Sequence, residues 1–186
     1  MADISDSEIL CEMICDRATL PLLGAKGHRS LEINEPKFPT SKVYVRDVPD
    51  DAFVLNVDAM PEMGKVVFIG THCECKRADY VIICPEKCVV VFIELKNRSD
   101  TEWHRVAQLK GADCIYEYCK CVGKLFWDKP DFLSRLQKHY VSFIHTSSLR
   151  KRGTRKKSVL GDGKSPSTMR KIAYAPTIFF NEMIEN

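Results

Sequence analysis

Two apolar runs, YVIIC (80–84) and CVVVFIEL (88–95), flank Pro85-Glu86-Lys87 inside the stretch KRADYVIICPEKCVVVFIELKN. Runs of this length, rich in β-branched residues and joined by a short Pro-containing turn, predict an antiparallel hairpin over Asp79–Cys84 and Cys88–Leu95. Opposed residues in such a pair have a constant index sum. If Cys84 faces Cys88, Asp79 lies opposite Ile93; a one-residue bulge, common with such loops, moves it opposite Glu94. In either register two acids meet at the open end of a buried-looking hairpin. Side chains alternate along a strand, so Glu94 and Lys96 share one face and the apolar Val91, Ile93 and Leu95 take the other.

The remaining chain reads as alternating helix and strand. Ser5-Asp6-Ser7-Glu8 has the form of a capping box and predicts a helix from Ser5 to Leu20, ended by Pro21 and Gly24. Pro36, Pro39 and Pro49 argue against long elements between Ala25 and Pro49, with one short strand at Lys42–Arg46. Ala52–Val57 and Lys65–Gly70 are further strand candidates. Ser99–Cys121 predicts a helix whose inward stripe includes Trp103, Val106, Ala107, Leu109, Lys110 and Ile115. A short helix at Asp131–Gln137, a strand at His139–His145 and a strand at Lys171–Phe180 complete the order. The expectation is an α/β fold with a mixed central sheet flanked by helices, in a single domain spanning 1–186.

Charge is unevenly spread. From Leu149 to Lys171 nine Lys/Arg stand against the single acid Asp162, a local +8 in a chain of net +3. The Gly- and Ser-containing part of this block, 150–167, predicts a mobile basic loop. Arg150, Lys151, Arg152, Arg155, Lys156 and Lys157 are its phosphate-binding candidates, joined by Lys76 and Arg77 before Asp79, with Arg170 and Lys171 continuing the track. A solvated charged loop or a nuclear-import signal is the competing reading. Nine cysteines, an odd number without paired CxxC spacing, fit a reducing intracellular setting, and most read as small buried hydrophobes. The exception weighed is a structural metal site joining His72-Cys73-Glu74-Cys75 to Cys119 and Cys121. No apolar run approaches the roughly 18 residues of a membrane span, and the acidic N-terminus lacks the basic flank of a secretory signal.

Two carboxylates a few ångströms apart repel unless a cation lies between them, and hard oxygen ligands suit Mg²⁺ or Mn²⁺. A nearby lysine can poise a metal-bound water or offset charge on a pentavalent phosphate. The isolated Glu-x-Lys triplet is common. Its conjunction with a strand-start acid, a buried hairpin and a following helix is not.

That conjunction resembles the PD-(D/E)xK nuclease superfamily, the restriction-endonuclease-like fold, over Thr71 to about Tyr118. The resemblance implies that Asp79 and Glu94 ligate the metal and that Lys96 assists the attacking water. It also implies a role for Gln108 on the following helix, with Tyr116 or Tyr118 after it. An acid from the N-terminal helix is implied too, Glu12 ahead of Glu8. The sequence departs from the pattern in lacking a proline before Asp79, and its cysteines do not show the spacing of the iron–sulfur nucleases in that group.

The expected function is thus a metal-dependent nuclease acting on DNA ahead of RNA, alone, as a homodimer or in a larger assembly. A non-catalytic nucleic-acid-binding or scaffold protein of the same fold is the alternative, with a cysteine-rich metal-binding interaction module behind it. Cysteine–histidine hydrolase chemistry finds little support, since His139 and His145 have no evident partner in the sequence.

Overall fold

The computed structural model describes residues 4–35, 38–60, 67–95, 101–144 and 161–185. The capping box forms: Ser5 Oγ accepts from Glu8 N at 3.2 Å and Glu8 Oε2 accepts from Ser5 N at 2.8 Å. It opens helix α1 (Asp6–Met13), shorter than the periodicity predicts. Beyond Met13 the chain leaves the α-helix through extended Ile14 and Cys15 and one 3-10 turn at Asp16–Ala18, and tertiary pairing then takes it over, with Leu20 N donating to Val54 O at 3.0 Å and Thr19 bridging Leu55.

The prolines do not prevent a long hairpin, as the sequence reading expected. Strands β1 (Arg29–Glu35) and β2 (Phe38–Val48) pair antiparallel. Pro39 lies at the end of β2 that its other neighbour, β8 (Thr177–Phe179), does not reach, so its missing N–H leaves no gap in the β2–β8 ladder. These three strands form one sheet.

The second sheet has the order β3 (Phe53–Asn56), β4 (Tyr80–Cys84), β5 (Val89–Leu95), β6 (Gln137–Ile144) and β7 (Arg170–Ala173). Its first three strands run antiparallel and β5–β6–β7 run parallel. The 25-residue helix α2 (Glu102–Phe126) makes the crossover from β5 to β6. A short α3 (Asn181–Ile184) ends the described chain. The α/β class and the mixed sheet are as expected, but α1 and α2 both lie on one face, and the other is covered by the small sheet together with Met183 of the short α3. Val81, Ile83, Val90, Phe92 and Tyr140 pack with Ile9 and Leu10 of α1 and Leu109, Ala112 and Tyr116 of α2. On the other face Ile82, Val91, Ile93 and Phe143 pack with Leu31, Ile33, Val43 and Val45 of the small sheet. Tyr80 ties the two sheets, donating from its hydroxyl to Asn34 O at 2.6 Å.

Other expectations give way to packing. Val67–Ile69 form no strand and Ile69 is 92% exposed; Lys65 and Val66 lie outside the described residues. The buried stripe of α2 is Leu109, Ala112, Tyr116, Cys119 and Gly123, whereas Trp103 is 58% exposed and Lys110 faces solvent. Asp131–Arg135 is a run of turns rather than a helix. The single strand expected over Lys171–Phe180 breaks around Pro176 into β7 and β8, which join different sheets.

Candidate functional site

The hairpin adopts the second of the two registers, reached not by a bulge but by a four-residue turn, Pro85–Cys88. Tyr80↔Ile93 through Cys84↔Val89 share one index sum, and Cys88 sits in the left-handed region (φ 54°) with its N–H donating to Pro85 O at 3.0 Å. One step beyond Tyr80↔Ile93, Asp79 stands opposite Glu94. The pairing is reinforced where the strand ends: Asp79 Oδ2 accepts from Leu95 N at 2.6 Å, and Asp79 O accepts from Val57 N at 2.9 Å.

Alternation places both acids on the helix-covered face, since Asp79 follows the parity of Val81 and Ile83, and Glu94 that of Phe92 and Val90. Glu94 is fully buried and Asp79 only 8% exposed. In the next strand Ser142 is the register partner of Glu94, and in the strand after it Lys171 is the partner of Ser142. A polar row therefore runs from Asp79, the residue just before β4, through Glu94 and Ser142 to Lys171. Two residues along each strand the same face is apolar: Phe92 stacks on Tyr140 at 4.9 Å and meets Tyr116 edge-on at 5.8 Å.

The N-terminal end of α2 lies over this row, because Lys171 Nζ pairs with Glu102, the first residue of the helix. That ion pair holds the Glu102 carboxyl below its usual range, first through the hydrogen bond and then through the charge of Lys171. Further along, α2 approaches the segment leading into Asp79 at Gly111, where a Cβ would fall 1.6 Å from Lys76 O. Gln108, half-buried, stands one turn before Gly111 and Ala112 and so on the sheet side of the helix. Lys76 is exposed and Arg77 half-buried beside the same contact.

Several residues singled out in the sequence are engaged elsewhere. Glu12 Oε2 accepts from Trp127 Nε1 at 2.9 Å, at the opposite end of α2 from Glu102, and Glu8 is spent on the capping box. Neither joins Asp79 and Glu94. The Tyr116 hydroxyl donates to Leu133 O at 3.0 Å, and Tyr118 points outward at 62% exposure. Arg170 follows the opposite parity to Lys171; it is buried and its guanidinium donates to Glu182 O and Glu185 O at the end of α3. It therefore caps a helix instead of continuing a phosphate track. Lys96, Arg150, Lys151, Arg152, Arg155, Lys156 and Lys157 lie outside the described residues.

Among the described residues no three His, Cys, Asp or Glu side chains gather into a metal-holding group, so His72–Cys75 and Cys119/Cys121 do not form the cysteine site considered above. All nine cysteines are free, and only Cys84 and Cys119 are buried, so most are not the small buried hydrophobes that the sequence suggests. Among the described residues no helix is long and apolar enough to cross a membrane. A surface cleft of about 480 Å³, lined by Asp6, Cys88, Lys129 and Arg135, lies at the turn end of the hairpin, away from the acids.

Asp79 and Glu94 present hard oxygens on one face of adjacent strands. Two carboxylates, completed by waters and substrate phosphate, are a donor set suited to Mg²⁺ or Mn²⁺. Sequence reasoning missed Ser142. Its Oγ is buried and makes no hydrogen bond among the described residues. Leaving a hydroxyl so costs about 1–3 kcal/mol. The available signal was a lone serine in YVSFI, at the parity that faces the helices.

Comparison with protein-family models, with curated proteins and with solved structures finds no match to this chain.

Proposed function

We propose that the protein is a metal-dependent phosphodiesterase, a nuclease of the restriction-endonuclease-like kind, with its centre at the open end of the β4–β5 hairpin. The observation that carries this reading is the register that sets Asp79 opposite Glu94 on one face of an otherwise apolar hairpin. The long helix straight after β5, with Gln108 on its sheet side, supports it further. Asp79 and Glu94 would hold Mg²⁺ or Mn²⁺, which when bound supplies charge stabilisation and an acidified water. Lys96 would poise that water and Gln108 would orient it. Lys76, Arg77 and the basic block from Arg150 to Lys157 would hold the nucleic-acid backbone.

The complete burial of Glu94 favours a second reading, a nucleic-acid-binding or scaffold protein whose acids are structural. Cleavage of plasmid, single-stranded DNA and RNA with Mg²⁺, Mn²⁺ or EDTA separates the two. The wild type is run beside Glu94→Ala and Lys96→Ala proteins shown to be folded by circular dichroism. Nuclease action predicts metal-dependent cutting that falls at least about 100-fold in both variants, the scale of losing a transition-state charge contact. Nucleic acid bound but never cut makes the second reading the right one.

A further inference from the structure

On the sheet face beneath α2, Ser142 is a buried polar side chain that makes no hydrogen bond among the described residues. Its neighbours along β6 are Tyr140, whose hydroxyl donates to Asp113 Oδ2 at 2.7 Å, and the buried Val141 and Phe143. A buried serine in a strand normally bonds to backbone or to a neighbouring side chain. Ser142 Oγ does neither among the described residues, although its register partner across the parallel ladder is the carboxylate-bearing Glu94. Adjacent strands lie about 4.8 Å apart, so a serine hydroxyl and a glutamate carboxylate on the same face reach each other by side-chain rotation alone.

We propose that Ser142 is a positioning residue for the metal centre, its hydroxyl donating to the Glu94 carboxylate oxygen turned away from a bound divalent cation. The inference rests on the phosphodiesterase reading and extends it to a residue on a third strand. In the row across the sheet Asp79 flanks Glu94 on one side and Ser142 on the other. A cation shared by the two acids draws Glu94 toward β4, and the hydroxyl on β6 then holds the carboxylate from behind. Partners of this kind orient metal ligands, and losing one typically lowers affinity about 10- to 100-fold. The same geometry predicts an unusual signature. In the metal-free structure the hydroxyl makes no hydrogen bond among the described residues, so removing it should leave the fold as stable or more stable; with metal its absence should weaken binding.

The test uses the full chain, stripped of metal and titrated with Mn²⁺, followed by calorimetry and by the electron paramagnetic resonance of the bound ion. Wild type is compared with Ser142→Ala, Ser142→Thr and Glu94→Gln, and each is melted without metal. The expected result is a Ser142→Ala protein with an unchanged or higher metal-free Tm, a Kd for Mn²⁺ raised about 10-fold and an altered resonance. Ser142→Thr, which keeps the hydroxyl, returns both towards wild type. A lower metal-free Tm for Ser142→Ala makes the hydroxyl structural and overturns the proposal. Wild-type Mn²⁺ affinity and resonance in Ser142→Ala, alongside lost binding in Glu94→Gln, also overturn it but leave the metal centre standing. Unchanged binding in Glu94→Gln removes the centre and the role of Ser142 together.

Discussion

Gly111 is the residue that lets helix α2 lie directly on the segment leading into Asp79. A side chain there would meet Lys76 O at 1.6 Å, Lys76 C at 2.7 Å and Arg77 Cα at 3.2 Å, all of them backbone atoms that cannot rotate aside. Either the helix lifts or the strand entry shifts. Gly111→Ala is therefore expected to cost about 1–3 kcal/mol, as overpacking of tight contacts does, read as a lower urea midpoint. It should also weaken Mn²⁺ binding, because the displaced segment carries the first acid. The bond from Leu95 N to Asp79 Oδ2 is the complementary constraint, holding one carboxylate oxygen to the end of the neighbouring strand. Such contacts explain why the sequence pattern alone could place the two acids at the same end of a hairpin but not say how firmly they are held.

At the scale of the element, β6 faces both layers. Tyr140 and Ser142 turn to the helices; His139, Val141 and Phe143 turn to the small sheet. Lys138, at its start, reaches Asp113 at 2.7 Å and Glu117 at 2.8 Å, fastening the middle of α2 to the strand. His139 is buried, and that burial, with the positive charge of Arg170 nearby, pushes its pKa below the ordinary histidine value. The neutral imidazole is therefore favoured in the folded chain, while the unfolded chain titrates near its usual value of about 6.5. Below that pH the unfolded state binds more protons, so the contribution of His139 is fully present above about pH 6.5 and is lost as pH falls through the folded pKa. Urea unfolding at pH 7.5 and pH 5.5 should show wild type losing stability on acidification and His139→Leu losing less. An equal loss in both proteins would place the titrating group elsewhere. The same strand shows the limit of periodicity. HYVSFI announced a strand with correct alternation, but not that one of its faces would complete a polar row begun by Asp79 and Glu94 more than forty residues earlier.

At the scale of the whole molecule, charge separates along the chain. The segment from Leu149 to Lys171 is net +8 and the remainder −5. A nucleic-acid partner held by Arg150, Lys151, Arg152, Arg155, Lys156 and Lys157 would release counterions, and log K would fall with log salt by about 0.9 per phosphate neutralised on duplex DNA. Replacing all six by serine should weaken binding and flatten that slope by up to about five, measured by fluorescence anisotropy across a salt series. An unchanged slope would mean that the backbone contacts lie elsewhere, Lys76 and Arg77 being the next candidates.

By itself the sequence determined the capping box at Ser5, the strand identity and alternation of the hairpin, the existence of α2 and the shared end of Asp79 and Glu94. Each follows from spacing within about twenty residues, where sterics, turn chemistry and side-chain alternation act locally. The tertiary structure alone decided that Cys88 leaves the strand and sets Asp79 opposite Glu94, and that the chain after Arg170 divides between two sheets. It also decided that Trp103 stays outside while Tyr116 is buried, and that Ser142 comes to stand beside Glu94. The first is set inside the hairpin by its four-residue turn, whereas the others depend on parallel pairing across a crossover helix and on one sheet packing against another. Such contacts join residues far apart in the chain, and the burial of whole faces, not local preference, selects their register.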